Sequence, residues 1–101
     1  MNKIITLSEY QNLLEKPGKH IIKVSASWCN PCKVLAKTID TLDEEFRDLF
    51  VEVDADEAES ELLVKLNVRN VPVLIFYDQD TEFNRTVGAV TKDKIMSILN
   101  Q

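Results

Sequence analysis

The stretch SASWCNPCK, residues 25–33, holds both cysteines of the 101-residue chain, Cys29 and Cys32, with Pro31 between them and the only tryptophan, Trp28, beside them. Two cysteines in a chain with no others can form a metal clip, a structural staple or a working redox pair, and the flanking sequence helps to separate the three. On the amino side, HIIKVS (20–25) is rich in β-branched residues and reads as a strand. On the carboxyl side, Leu35, Ile39, Leu42 and Phe46 recur at steps of four, three and four, which is one face of an α-helix. Extending that face back by three residues lands on Cys32, so the helix is expected to bury Cys32 against a sheet. Cys29 stands at the helix start, where the backbone turns and exposure is expected.

A mononuclear structural zinc site takes four ligands, and only Cys29, Cys32 and His20 belong to that class here. His20 lies at the far end of the preceding strand and reads as a strand-end residue. A staple is also weak, because closing so short a loop removes little chain entropy. A dithiol on a helix amino terminus fits better. Unpaired N–H groups and the macrodipole stabilise a thiolate there, which makes Cys29 the nucleophile. Pro31 in the first turn forfeits no needed hydrogen bond and helps to fix the turn.

The rest of the chain alternates strands and helices. Residues 3–6 read as a short strand and 8–15 as a helix begun by Thr6 or Ser8, with a Pro17-Gly18 turn before the 20–25 strand. Residues 49–53 read as the next strand and 58–66 as the next helix. Residues 73–77 (VLIFY) are dense enough in β-formers for a central strand, paired through a turn at 78–81 with 82–87. Residues 91–99 close the chain as a helix with Thr91 as its N-cap. The order βαβαβαββα gives an α/β fold, a mixed central sheet with helices on both faces, in a single domain over 1–101.

With 45% hydrophobic and 29% charged residues the composition is globular, and a formal charge of −5 with scattered lysines argues against a nucleic-acid binder. The acids Asp54, Asp56, Glu57, Glu59 and Glu61 read as a solvated helix start rather than a docking patch. MNKIITLSEY has no long apolar core, so it does not read as a secretory signal, and no stretch reaches membrane-spanning length. The expected location is the cytoplasm, without membrane association, and the expected state is a monomer.

Trp28-Cys29-Asn30-Pro31-Cys32-Lys33 resembles the WCxPCK signature of the thioredoxin family. The likeness extends along the chain: Val71-Pro72 lies where the family carries a cis-proline, and Val87-Gly88-Ala89 is similar to its VGA segment. The resemblance implies a thioredoxin fold and thiol–disulfide exchange without a cofactor or metal. Cys29 would attack a protein disulfide, Cys32 would resolve the mixed disulfide, and a thioredoxin reductase or equivalent donor would reset the pair. It also implies a substrate groove lined by Trp28, Asn30, Pro31, Val71, Pro72 and Gly88, with the Val71 backbone pairing to an extended peptide.

The chain departs from the family where protons are handled. The position of the usual buried acid holds Lys23, and the position of the usual lysine on the next strand holds Glu52, so the pair's signs are exchanged. A snorkelling Lys23 with a surface Glu52 is the bland alternative. The expectation drawn here is a catalytic role for both, with Glu52 deprotonating Cys32. Ser25 stands where an aromatic is frequent, and Lys37 replaces a helix-kinking proline, which predicts a straighter helix. Other readings of the same fold are a disulfide oxidase or isomerase, and a binding subunit of a larger enzyme without redox turnover. A glutaredoxin fits less well, because Trp28 and the CNPC turn look unlike its site.

Overall fold

The computed structural model describes residues 1–101. Its elements are β1 (Asn2–Lys3), α1 (Leu7–Leu14), β2 (Lys19–Ser25), α2 (Asn30–Asp40), α3 (Glu44–Arg47), β3 (Phe50–Asp54), α4 (Ser60–Leu66), β4 (Val73–Asp78), β5 (Thr81–Val87) and α5 (Lys92–Leu99). The five strands form one sheet in the order β1-β3-β2-β4-β5. The β1–β3 and β3–β2 pairs are parallel, and β2–β4 and β4–β5 are antiparallel. This is the expected mixed sheet, with β2 at its centre.

The two-residue period of the strands divides the core. On one side Ile22 and Val24 of β2 and Val51 and Val53 of β3 pack with Tyr10 and Leu13 of α1 and Leu62 and Leu66 of α4. On the other, Ile21, Phe50, Leu74 and Phe76 pack with Leu35 and Ile39 of α2 and Ile95 and Ile98 of α5.

Most element ends shift by only one or two residues, and two departures from the sequence reading have local reasons. The β1 ladder stops early because the N–H groups of Ile5 and Thr6 both turn to Glu9 Oε1, each at 3.0 Å. With the Thr6 hydroxyl accepting from Glu9 N–H at 3.0 Å they form a capping box that starts α1. The long helix expected to run through Phe46 instead ends at Asp40. Thr41 and Leu42 donate to Thr38 O and Ile39 O in tightened i−3 bonds, and the Thr41 hydroxyl takes the same Thr38 carbonyl at 2.6 Å. Leu42 keeps its place in the core while Phe46 belongs to the separate α3. Upstream of that break α2 is uninterrupted, with Lys37 in its last turn.

Candidate active site

The site is built where β2 ends and α2 begins. Cys29 is the N-cap of α2, in extended conformation, and its Sγ accepts from Cys32 N–H at 3.2 Å. The first turn is held by Lys33 N–H donating to Cys29 O at 3.3 Å, and Pro31 stands where no donor is required. This fixes the two side chains on one side of the turn. Cys29 and Cys32 are joined as a disulfide with their Cα atoms 5.3 Å apart.

One expectation is corrected. Cys29 is as buried as Cys32, each with 5% exposure. Ala26 and Val71 pack around the pair, and the Val71 carbonyl oxygen lies 3.8 Å from Cys29 Sγ. Val71 comes from the loop before β4, so helix periodicity could not reveal this cover.

The remaining groove positions assemble at the same edge. The Val71–Pro72 bond is cis, as the resemblance implied. Gly88 N–H donates to Pro72 O at 2.9 Å, and Gly88 takes a φ of 90°, a left-handed conformation that favours glycine. Trp28 is 68% exposed, and its indole N–H donates to the Asp56 carboxylate at 3.0 Å. A cavity of about 410 Å³ runs beside it, lined by Trp28, Ala55, Leu63, Val68, Arg69, Asn70 and Val71. Asn30 and Pro31 are exposed on the helix start.

Asp56, Arg69 and Asn70 escaped the sequence reading. The acids 54–61 are also more than a solvated helix start: Asp56 holds Trp28, Glu57 pairs with Lys3 at 3.2 Å, and Glu59 accepts from Leu7 N–H at 2.8 Å. Only the register of distant segments makes these contacts, so no local signal could have found them.

Beneath the pair, Lys23 and Glu52 are register partners across β2 and β3. The pleat turns both toward α2, the side that Ile21 and Phe50 occupy two residues earlier. Lys23 does not snorkel: its side chain is 7% exposed, with its Nζ 3.7 Å from Glu52 Oε1. Ser25 is buried and donates to the same Glu52 oxygen at 3.3 Å. A cavity of about 190 Å³ is lined by Lys23, Ser25, Cys32 and Glu52 together with Ala26, Ser27, Lys33, Ala36 and Asp54.

His20 lies at the other end of β2, buried and stacked on Tyr77 with ring centroids 5.6 Å apart. Burial lowers its pKa, and its Nε2 has no hydrogen-bond partner. Burial pushes the Tyr77 phenol up, helped by its hydrogen bond with the Tyr10 hydroxyl at 3.0 Å. This cluster belongs to the core and takes no part in the cysteine site.

A closed, short-spaced disulfide on a helix start, beside an X-Pro loop and an exposed groove, defines a thiol–disulfide oxidoreductase of α/β architecture. The thioredoxin family profile matches residues 2–101, and the chain belongs to the thioredoxin family. It is 28% identical over 100 residues to a thioredoxin of Mycoplasmoides gallisepticum, covering 98% of this chain and 99% of that one. To thioredoxin-2 of Saccharomyces cerevisiae it is 35% identical over 91 residues, covering 88% and 86%. The solved structure of oxidised mitochondrial thioredoxin 3 of S. cerevisiae shares the fold at a TM-score of 0.87 and 24% identity, over 100% of this chain and 95% of that one. The thioredoxin fold and protein-disulfide reductase activity therefore describe this chain.

Proposed function

We propose that the chain reduces protein disulfides with Cys29 as the attacking sulfur and Cys32 as the resolving one. The Cys29 thiolate bonds to one sulfur of a target disulfide and the other leaves as a thiolate. Cys32 then attacks Cys29 Sγ, the Cys29–target bond breaks, and the pair closes while the target is released reduced. The observation that carries the reading is the position of Cys29 Sγ, on the α2 amino terminus with Cys32 bonded to it and the Val71 carbonyl beside it.

A target peptide would lie against the Val71 backbone, with Trp28, Asn30, Pro31, Pro72 and Gly88 around it. Arg69 and Asn70 extend that surface along the groove. Electrons would come from a thioredoxin reductase or an equivalent donor, so that the protein serves electron transport and redox homeostasis as a cytoplasmic monomer. Its substrates are proteins, and neither nucleic acid nor a membrane is needed.

Insulin-type disulfide reduction tests the reading. The unaltered protein reduces the substrate catalytically, Cys29→Ser falls to background, and Cys32→Ser accumulates a stable mixed disulfide through Cys29. A cellular role that survives in both variants would instead identify a binding subunit.

A further inference from the structure

The least explained group in the molecule is the Lys23 ammonium. Its only charged partner, Glu52 Oε1, stands at 3.7 Å, beyond hydrogen-bond length, although the Lys23 side chain is almost wholly buried. An ammonium with unfilled donors in the interior is costly. The space it faces is a cavity of about 190 Å³ that Cys32 also lines. It is roomy enough to hold water, and Lys23, Ser25 and Glu52 supply polar partners beside the apolar Ala26 and Ala36. Glu52, beside Lys23 on the adjacent strand, also lines the cavity and is 30% exposed, which connects it to solvent.

We propose that Lys23 is a positioning residue that holds the Cys32 thiolate during turnover, and that Glu52 is the base that takes the Cys32 proton. The proposal rests on the reductase reading above. In the mixed disulfide, the Cys32 proton passes across the cavity to the Glu52 carboxylate. The thiolate attacks Cys29 Sγ, the Cys29–Cys32 bond forms as the Cys29–target bond breaks, and the target sulfur leaves as a thiolate. Glu52 releases its proton to solvent, and the departing thiolate takes one up, so protons balance. Lys23 has an anion beside it throughout: the Glu52 carboxylate before the transfer and the Cys32 thiolate after it. No lone charge is left inside the protein, which is the arrangement that would cost most.

The other ionisable groups near Cys32 are occupied or face solvent. The Asp54 carboxylate accepts from Asp56 N–H at 2.8 Å. Lys33 is exposed on α2. Lys3, the register partner of Glu52 on β1, pairs with Glu57. On β4, the residue paired with Lys23 is the apolar Leu74.

Two measurements test the proposal. With Cys29→Ser, Cys32 is the only thiol, and its thiolate is titrated by ultraviolet absorbance. Adding Lys23→Met moves the midpoint up by about one to two pH units, the effect of one nearby unit charge, and Lys23→Arg, which keeps the charge, restores it. Adding Glu52→Gln moves it down, because a neighbouring anion is gone. Separately, the reduced two-cysteine protein in excess is mixed with dithiobis-nitrobenzoate. The first thionitrobenzoate released reports attack by Cys29 and the second reports resolution by Cys32. Glu52→Gln lowers the ratio of second-phase to first-phase rate about tenfold or more, in spite of the more acidic thiol. A purely structural pair would not move acidity and rate in opposite directions. An unchanged ratio in Glu52→Gln, or a midpoint that Lys23→Met leaves in place or lowers, overturns the proposal. A protein without reductase activity and without a first phase would overturn the reductase reading instead.

Discussion

The same two strands build opposite faces of the sheet, and the faces end differently. Toward α1 and α4, β2 and β3 show Ile22, Val24, Val51 and Val53, apolar except for His20 at the far end of β2. Toward α2 they begin alike, with Ile21 against Phe50, but the next two register pairs are Lys23 with Glu52 and Ser25 with Asp54. Lys23 and Ser25 are still buried, so this polar end is interior and not surface. Burial alone does not make a position structural. One face carries stability, and the other gives up apolar packing directly below Cys32.

That contrast can be broken or sharpened by substitution. The largest effect on stability is expected on the apolar face, where Ile22→Ala costs about 2–5 kcal/mol through lost transfer energy and a cavity. Urea unfolding measures the loss, and the glutathione redox equilibrium should stay where it was. A shifted equilibrium would mean that the two faces are not separable. On the same side, Thr6→Ala removes the capping box of α1 and costs about 1 kcal/mol, again by urea unfolding.

The polar end should behave inversely. Lys23→Met leaves the Glu52 carboxylate without its cation, but that carboxylate is 30% exposed and keeps the Ser25 hydroxyl, so the loss of stability should stay below that of Ile22→Ala. The redox equilibrium carries the effect: the cation favours the thiolate, so the unaltered protein should be a weaker reductant than a thioredoxin with an acid at this position. Lys23→Met should make it a stronger one. A variant that lost stability while keeping its potential would place Lys23 with the structural residues.

The smallest effect belongs to His20, at the other end of β2. Its pKa in the fold is lowered from about 6.5, chiefly by burial, so the unfolded chain binds a proton more readily. Its contribution is fully present above about pH 6.5 and is lost as the pH falls through the depressed folded value. His20→Phe should flatten that part of the stability profile, measured by urea midpoints on both sides of that pH. An unflattened profile would assign the slope to the carboxylates.

Much of this was legible from particular residues. Steps of three and four placed Leu35 and Ile39 on the buried side of α2, and a threonine before a polar first turn marked the cap at Thr91, whose hydroxyl accepts from Lys94 N–H at 3.2 Å. The cis bond before Pro72 and the exchanged pair Lys23/Glu52 became visible through the family resemblance, since neither leaves a periodic signal. The end of α2 at Asp40 was hidden because Leu42 and Phe46 keep the helical spacing after the helix has stopped.

By itself the sequence determined what depends on neighbours a few residues away: element order, caps, the turn at Pro31 and the placing of Cys29 on a helix start. Tertiary structure alone decided that Val71, 42 residues from Cys29, covers its sulfur, and that Asp56 reaches back 28 residues to hold Trp28. It also decided that Lys23 shares a cavity with Cys32 and stands 3.7 Å from Glu52. The physical reason is that period and capping act over a turn or two of chain, whereas burial and charge pairing depend on which distant segments the sheet brings together.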